Sequence, residues 1–185
     1  MTVWLAVTVA IVVFVVSYGT WDWLGPGVGS GSAQGPEPIA RPAGEPLEVQ
    51  VIAQQWQFTF RWPSYGGIKT QQLVIPVGRY IEFHVTSLDV IHSFWAVGLG
   101  VKADAVPGAD NVVYARPERT GPFHLRCAEL CGLWHGQMYQ LTPRVATQAE
   151  FESWIARQQR QYADIVRYLP PYSHVYDPAP QYRAG

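Results

Sequence analysis

LEVQVIAQQWQFTFRW, residues 47–62, alternates apolar and polar side chains along its whole length, and the fold is read outward from it. Val49, Val51 and Ala53 hold odd positions, whereas Trp56, Phe58, Phe60 and Trp62 hold even ones. Successive side chains of a strand point to opposite faces, so a period of two cannot change phase without a local irregularity. The sequence therefore predicts a strand over 47–62 with a bulge at Gln54 and Gln55.

Downstream, residues 72–76, 80–87, 92–97, 111–115, 123–127 and 138–145 are further strand-like runs separated by Gly, Pro or Asp. With 17 Gly and 15 Pro in 185 residues, this spacing predicts an all-β antiparallel sandwich or barrel over 47–146. Thr147-Gln-Ala-Glu150 has the form of a capping box and opens an amphipathic helix over 147–169. Its stripe of Phe151, Trp154, Ile155, Tyr162, Ile165, Val166 and Leu169 stops at Pro170-Pro171, and 170–185 is a Pro- and Tyr-rich tail. Upstream, 25–46 is rich in Gly, Pro, Ser and Ala and reads as a linker.

Residues 3–18 are apolar apart from Thr8 and Ser17, and counting on to Leu24 reaches the roughly 20 residues that span a bilayer. Residues 1–24 are thus expected to form one transmembrane anchor, with Trp4, Trp21 and Trp23 at headgroup level. A cleaved secretory signal is the alternative, but no Lys or Arg precedes the run. The first basic residue is Arg41, so the positive-inside rule does not orient the anchor. With 13 Lys and Arg against 14 Asp and Glu, the chain lacks the basic excess that nucleic acid requires.

Chemistry concentrates in Cys127-Ala-Glu-Leu-Cys131-Gly-Leu-Trp-His135-Gly-Gln-Met138, with His92 upstream. Thiolate, imidazole and thioether together select copper, and the acidic clusters that suit magnesium or calcium are missing. A mononuclear blue copper site uses two His, one Cys and a weak Met. Here a second Cys lets both sulfurs bridge two ions, one imidazole serving each and Met138 standing as a weak outer ligand. A disulfide between Cys127 and Cys131 is an alternative, as is zinc, although zinc's usual Cys pairs are spaced C-x-x-C. The remaining histidines read otherwise: His84 as a surface residue opposite Ile81, Phe83 and Val85, His124 as pointing away from the loop, and His174 as part of the tail.

Gln55-Trp56, Asp89-Val-Ile-His92-Ser-Phe-Trp, Val101-Lys-Ala-Asp104-Ala-Val-Pro107-Gly108 and the cysteine loop, in this order, resemble the electron-accepting subunit II of haem–copper cytochrome c oxidases. The resemblance covers residues 47–158. It implies a Greek-key cupredoxin domain on the periplasmic side of a bacterial plasma membrane, or its equivalent. It implies a binuclear CuA centre with His92, Cys127, Cys131, His135 and Met138 as side-chain ligands and the main-chain carbonyl of Glu129 as another. In A-type members the matching Glu carboxylate also helps to bind a magnesium ion shared with subunit I, which retained Glu129 implies here. Trp56 matches the aromatic where electrons arrive from a c-type cytochrome, and Asp104 matches an acidic docking position; read without the resemblance, Trp56 is a core residue of an aromatic strand. Glu82, Asp89, Asp104 and Asp110 against the lone Lys102 suit steering of a basic partner or an ordinary solvated face. The implied partners are the haem-containing subunit I, other oxidase subunits and membrane lipid, in a complex coupling oxygen reduction to proton translocation.

The sequence departs from the family in counting one span where most members have a two-helix hairpin, which places the N-terminus inside. That span holds no Glu, and its one acidic residue, Asp22, lies near its end, so it supplies no proton-uptake glutamate. The same domain serves some nitric oxide reductases and, beside a propeller domain missing here, nitrous oxide reductase. A quinol oxidase subunit would keep the fold and lose the ligands. A copper chaperone would hold its ligands on an exposed, exchangeable site.

Overall fold

A computed structural model describes residues 1–24 and 45–166, without side chains at 19–24 and 166. The linker expected over 25–46 lies outside the described residues except at 45 and 46, as do residues 167–169 of the expected helix and the whole tail with His174.

Where one bulged strand is expected, the chain makes a hairpin. β1 (Leu47–Gln54) and β2 (Gln57–Trp62) pair antiparallel, with Gln54 opposite Gln57 and only Gln55 and Trp56 between them. Val51 faces Phe60 and Ala53 faces Phe58, so each odd position meets an even one. Directly opposed residues share a face of the sheet. A two-residue reversal therefore converts an odd-numbered buried face into an even-numbered one, and the phase change marks a turn rather than a bulge.

The remaining strands are β3 (Ile68–Thr70), β4 (Val74–Pro76), β5 (Ile81–Ser87), β6 (His92–Ala96) and β7 (Val101–Ala105). They are followed by β8 (Asn111–Ala115), β9 (Gly121–Pro122), β10 (Leu125–Cys127), β11 (Tyr139–Gln140) and β12 (Arg144–Ala146). One sheet runs β3-β2-β1-β5-β8, a second β11-β10-β6-β7, and a small third β4-β12-β9. β1 is parallel to β5, and β12 to β4, so the architecture is mixed rather than antiparallel throughout. Alternation cannot distinguish the two: Leu47, Val49 and Val51 stand beside Ile81, Phe83 and Val85 on one buried face whichever way the strands run. The long connection through β2, β3 and β4 is what permits parallel pairing. The short strands β3, β7 and β9 lack a long apolar signal, and the expected 138–145 strand divides into β11 and β12.

The first two sheets close on aromatics. Phe94 of β6 meets Phe58, Phe60 and Phe83 of the first sheet at ring-centroid distances of 5.9, 6.5 and 5.2 Å. Such tilted and edge-on contacts fix the facing of the layers beyond simple burial. α2 (Gln148–Val166) opens on the expected box: Glu150 Oε2 accepts from the Thr147 N–H at 2.9 Å, and Thr147 Oγ1 accepts from the Glu150 N–H at 3.3 Å. Phe151 and Trp154 pack on Trp62, at 5.9 and 5.5 Å. The stripe leaves the core beyond Tyr162, since Ile165 is exposed.

α1 (Thr2–Leu24) carries exposed Val, Ile, Leu and Phe side chains over residues 3–16. Its described side chains end at Tyr18. Alone, these described residues do not amount to a helix long and apolar enough to cross a membrane. The helical backbone runs on to Leu24.

His84, expected at the surface, is mostly covered. Its side chain is only 16% exposed on the outer face of β5, with Nδ1 2.7 Å from Asp110 Oδ2 and Nε2 3.3 Å from Glu82 Oε1. Burial works against the imidazolium, but the hydrogen bonds to Asp110 and Glu82 and the fields of Asp110 and Glu48 outweigh it and raise the pKa to about 10. A group whose pKa rises on folding stabilises fully below its unfolded value, about 6.5, and loses that contribution as pH climbs through its folded value. Melting temperature is thus expected to fall between pH ~7 and pH ~10, and His84→Gln is expected to flatten that slope. An unchanged slope in thermal scans of the variant would assign the pH dependence to other groups.

Candidate metal centre

His92 opens β6 and is fully buried; Cys127 ends β10, opposite Phe94. The chain then leaves the sheet and returns through a short 3-10 turn, His135–Gln137, to Met138. The loop is closed at its base by Cys127 N–H donating to the Met138 carbonyl at 3.0 Å, and by Ala128 N–H donating to the Ser93 carbonyl at 3.0 Å. Two sheet strands and one loop thus bring together all five side chains singled out by the sequence.

The two sulfurs lie 3.8 Å apart and belong to free thiols. His92 Nδ1 stands 3.9 Å from Cys127 Sγ and His135 Nδ1 3.4 Å from Cys131 Sγ, with Met138 Sδ 3.9 Å from Cys131 Sγ. The Glu129 carbonyl oxygen lies 3.2 Å from Cys127 Sγ, while its carboxylate end belongs to an exposed residue. A disulfide needs about 2.05 Å, whereas metal–thiolate bonds of about 2.3 Å let one ion touch both sulfurs. His92, Cys127 and Cys131 offer ligand atoms all within 4.8 Å of one another, and all three are buried. This soft, dry donor set suits copper.

Burial, then the hydrogen bond and charge of Cys127, push the Cys131 thiol up to about 12. Without a cation it keeps its proton at neutral pH, and a metal that binds must displace it. His92 Nε2 lies 2.8 Å from Asp89 Oδ1. An ionised carboxylate only accepts, so the proton sits on Nε2 and the Nδ1 lone pair faces the sulfurs. Burial opposes the Asp89 charge, but the Gln55 N–H, the His92 ring and the Val90 N–H hold its carboxyl below the usual range.

Asp89 also explains the hairpin turn. Its Oδ2 accepts the Gln55 N–H at 2.7 Å, while Gln55 Nε2 and Trp56 Nε1 both donate to the Cys131 carbonyl, at 2.8 and 3.1 Å. Trp56 is half-buried and meets Trp134 edge-on at 6.5 Å. Gly132, with φ +112°, leaves the room: a Cβ there would come within 2.8 Å of Gln55 Nε2. Asp89, Gln55, Gly132 and Trp134 stand in the motifs quoted above, but the sequence alone gives none of them these contacts. A carboxylate three residues before a candidate ligand histidine was the one available signal.

Glu82, Asp89, Asp104 and Asp110 divide among different contacts. Asp89 is turned to His92 and Gln55, and Glu82 and Asp110 hold His84 on β5. Asp104 lies on β7 beside Ser93, half-buried. His124 is exposed.

Among known proteins, residues 69–145 match the family described as Cytochrome C oxidase subunit II, periplasmic domain. The alternative cytochrome c oxidase subunit 2 of Bradyrhizobium diazoefficiens is 30% identical over 176 residues, covering 74% of this chain and 62% of the relative. The chain spans about half the length of the curated relatives it matches. The crystal structure of the periplasmic domain of cytochrome oxidase subunit II from Bradyrhizobium japonicum is 30% identical, with a TM-score of 0.60 over 63% of this chain and 95% of that one. A mixed disulfide between a thioredoxin-like protein and a cytochrome c oxidase subunit II domain is similar at 28% identity and TM-score 0.59, over 67% of this chain and 97% of that one.

Proposed function

This chain belongs to the cytochrome c oxidase subunit II family, and on that premise we propose that its β domain holds a CuA centre taking electrons from a c-type cytochrome toward a haem in subunit I. One observation carries the reading: two free thiols 3.8 Å apart, each beside an imidazole Nδ1, with the Trp56 N–H on the carbonyl of one of them. Cys127, Cys131, His92, His135, Met138 and the Glu129 carbonyl would hold the two copper ions. Bound copper supplies reversible one-electron chemistry. Asp89 fixes the tautomer of His92, the burial of Cys127, Cys131 and Met138 excludes water, and Gly132 lets Trp56 reach the loop. α1 is the single-pass anchor of this reading, N-terminus inside and β domain outside a bacterial plasma membrane; its exposed apolar surface supports that role. Oxygen reduction and proton translocation belong to the assembled complex with its haem-containing and other subunits.

Metal analysis of the complex purified from its membrane tests the proposal. Two coppers per copy of this chain, with a purple chromophore, are expected; one copper, or zinc alone, sinks it. A magnesium ion shared with subunit I would use the Glu129 carboxylate, separate from the carbonyl turned toward Cys127. Glu129→Gln is therefore expected to keep the copper spectrum and to weaken magnesium or manganese binding in the complex. Loss of the copper spectrum in that variant would show that the side chain itself serves copper.

A further inference from the structure

We propose that the cleft between α2 and the start of β12 binds a phosphate group, held by the guanidinium forks of Arg144 and Arg157 and by the hydroxyl of Ser153. The site shares no residue with the metal loop, so the inference goes beyond the proposed function and does not depend on copper.

The cleft has a volume of about 250 Å³ and is lined by Arg144, Ala149, Glu150, Ser153 and Arg157. α2 is held to the domain by buried Phe151, Trp154 and Ile155, which leaves Ala149, Ser153 and Arg157 exposed as one row four residues apart. Alanine and serine are small, and a larger side chain at either place would fill the space. Arg144 reaches the cleft from a strand fixed on both sides, opposite Val74 of β4 and Pro122 of β9. Two elements thus supply the two cations. Neither guanidinium makes a side-chain hydrogen bond or an ion pair among the described residues. Glu150 offsets only one of them, and its carboxylate is already engaged: Oε2 accepts from the N–H and the hydroxyl of Thr147, at 2.9 and 2.8 Å. Those bonds, aided by the field of Arg144, hold the Glu150 carboxyl below the usual range.

The donor set selects the ligand. A guanidinium presents a rigid planar fork of N–H donors that matches a carboxylate or a phosphate with two parallel bonds. One fork saturates the two oxygens of a carboxylate. A tetrahedral phosphate has oxygens left for a second fork and a hydroxyl, so only it uses Arg144, Arg157 and Ser153 together. Phospholipid headgroups and soluble phosphate compounds share this chemistry, and a membrane-anchored chain meets both.

Arginine-directed modification with phenylglyoxal, read residue by residue by mass spectrometry, tests this in the complex purified from its membrane and stripped of lipid by detergent exchange. The probes are inorganic phosphate, acetate, and a short-chain phosphatidylglycerol below its micelle concentration. Arg144 and Arg157 are expected to label in their absence. Inorganic phosphate is expected to protect both with one shared midpoint, at a concentration about ten-fold or more below that of acetate. Arg160, exposed on α2 outside the cleft, is expected to label throughout. Ser153→Leu fills the cleft without altering charge and Arg157→Gln removes one fork; each is expected to weaken protection of Arg144 about ten-fold while melting temperature holds, as for most exposed substitutions. Stronger protection by phosphatidylglycerol than by inorganic phosphate identifies a lipid headgroup as the ligand, and equal or weaker protection identifies a soluble phosphate; either result supports the site. Equal protection by acetate, equal protection of Arg160, or unaltered protection in both variants overturns it. So does failure of Arg144 and Arg157 to label in the stripped complex, which would show that another subunit covers the cleft.

Discussion

Cys131→Ser is expected to reduce bound copper from two ions per chain to one or none and to abolish the purple chromophore. Cys131 is the hub of the loop: its sulfur lies within 4 Å of Cys127, His135 and Met138, and its carbonyl anchors both Gln55 and Trp56. A serine hydroxyl is harder and far less acidic than a thiol, so it cannot replace a bridging thiolate. Met138→Leu supplies the contrast. Met138 is buried, and Leu has nearly its volume, so the exchange costs less than about 1.5 kcal/mol of packing. That variant is expected to retain both coppers with a shifted reduction potential. Metal analysis and redox titration of the pair decide the ranking, and equal copper loss in both would show that the thioether is indispensable.

The contrast also shows what could be read from the chain alone. Cys127, Cys131, His135 and Met138 lie in one short loop, so their chemistry is legible as a local pattern, and only His92 had to be brought in from another strand. The turn at Gln55 and Trp56 was illegible for the opposite reason. Two-residue hairpins usually announce themselves with Gly, Asn or Asp. This one is held by Asp89 and the Cys131 carbonyl, partners 34 and 76 residues away from Gln55. The same limit hid the role of His84: its strand parity was right, but Asp110 comes from a loop 26 residues further on. Parallel pairing of β1 with β5 was hidden because the alternation of buried and exposed positions is identical in both directions.

Trp56→Ala is expected to slow electron transfer from the cytochrome by orders of magnitude while Kd for the donor and copper content change little. The hairpin turn takes Trp56 out of the alternation that buries Phe58 and Phe60, leaving it half-buried against the edge of the core with its N–H on Cys131. Its indole thus lies between exposed Trp134 and the carbonyl of a candidate ligand, and a methyl group leaves that space unbridged. The stability cost should be well below the ~3–5 kcal/mol of a truncated core tryptophan, because Gln55 continues to donate to the same carbonyl. Trp56→Phe sharpens the comparison: it keeps a ring in the gap and loses only the N–H, so its transfer rate should fall between the native and alanine values. Stopped-flow rates and melting temperatures on the same preparations separate the roles. A large drop in melting temperature with near-normal transfer in the folded fraction would make Trp56 a packing residue and leave the electron path to another group such as Trp134.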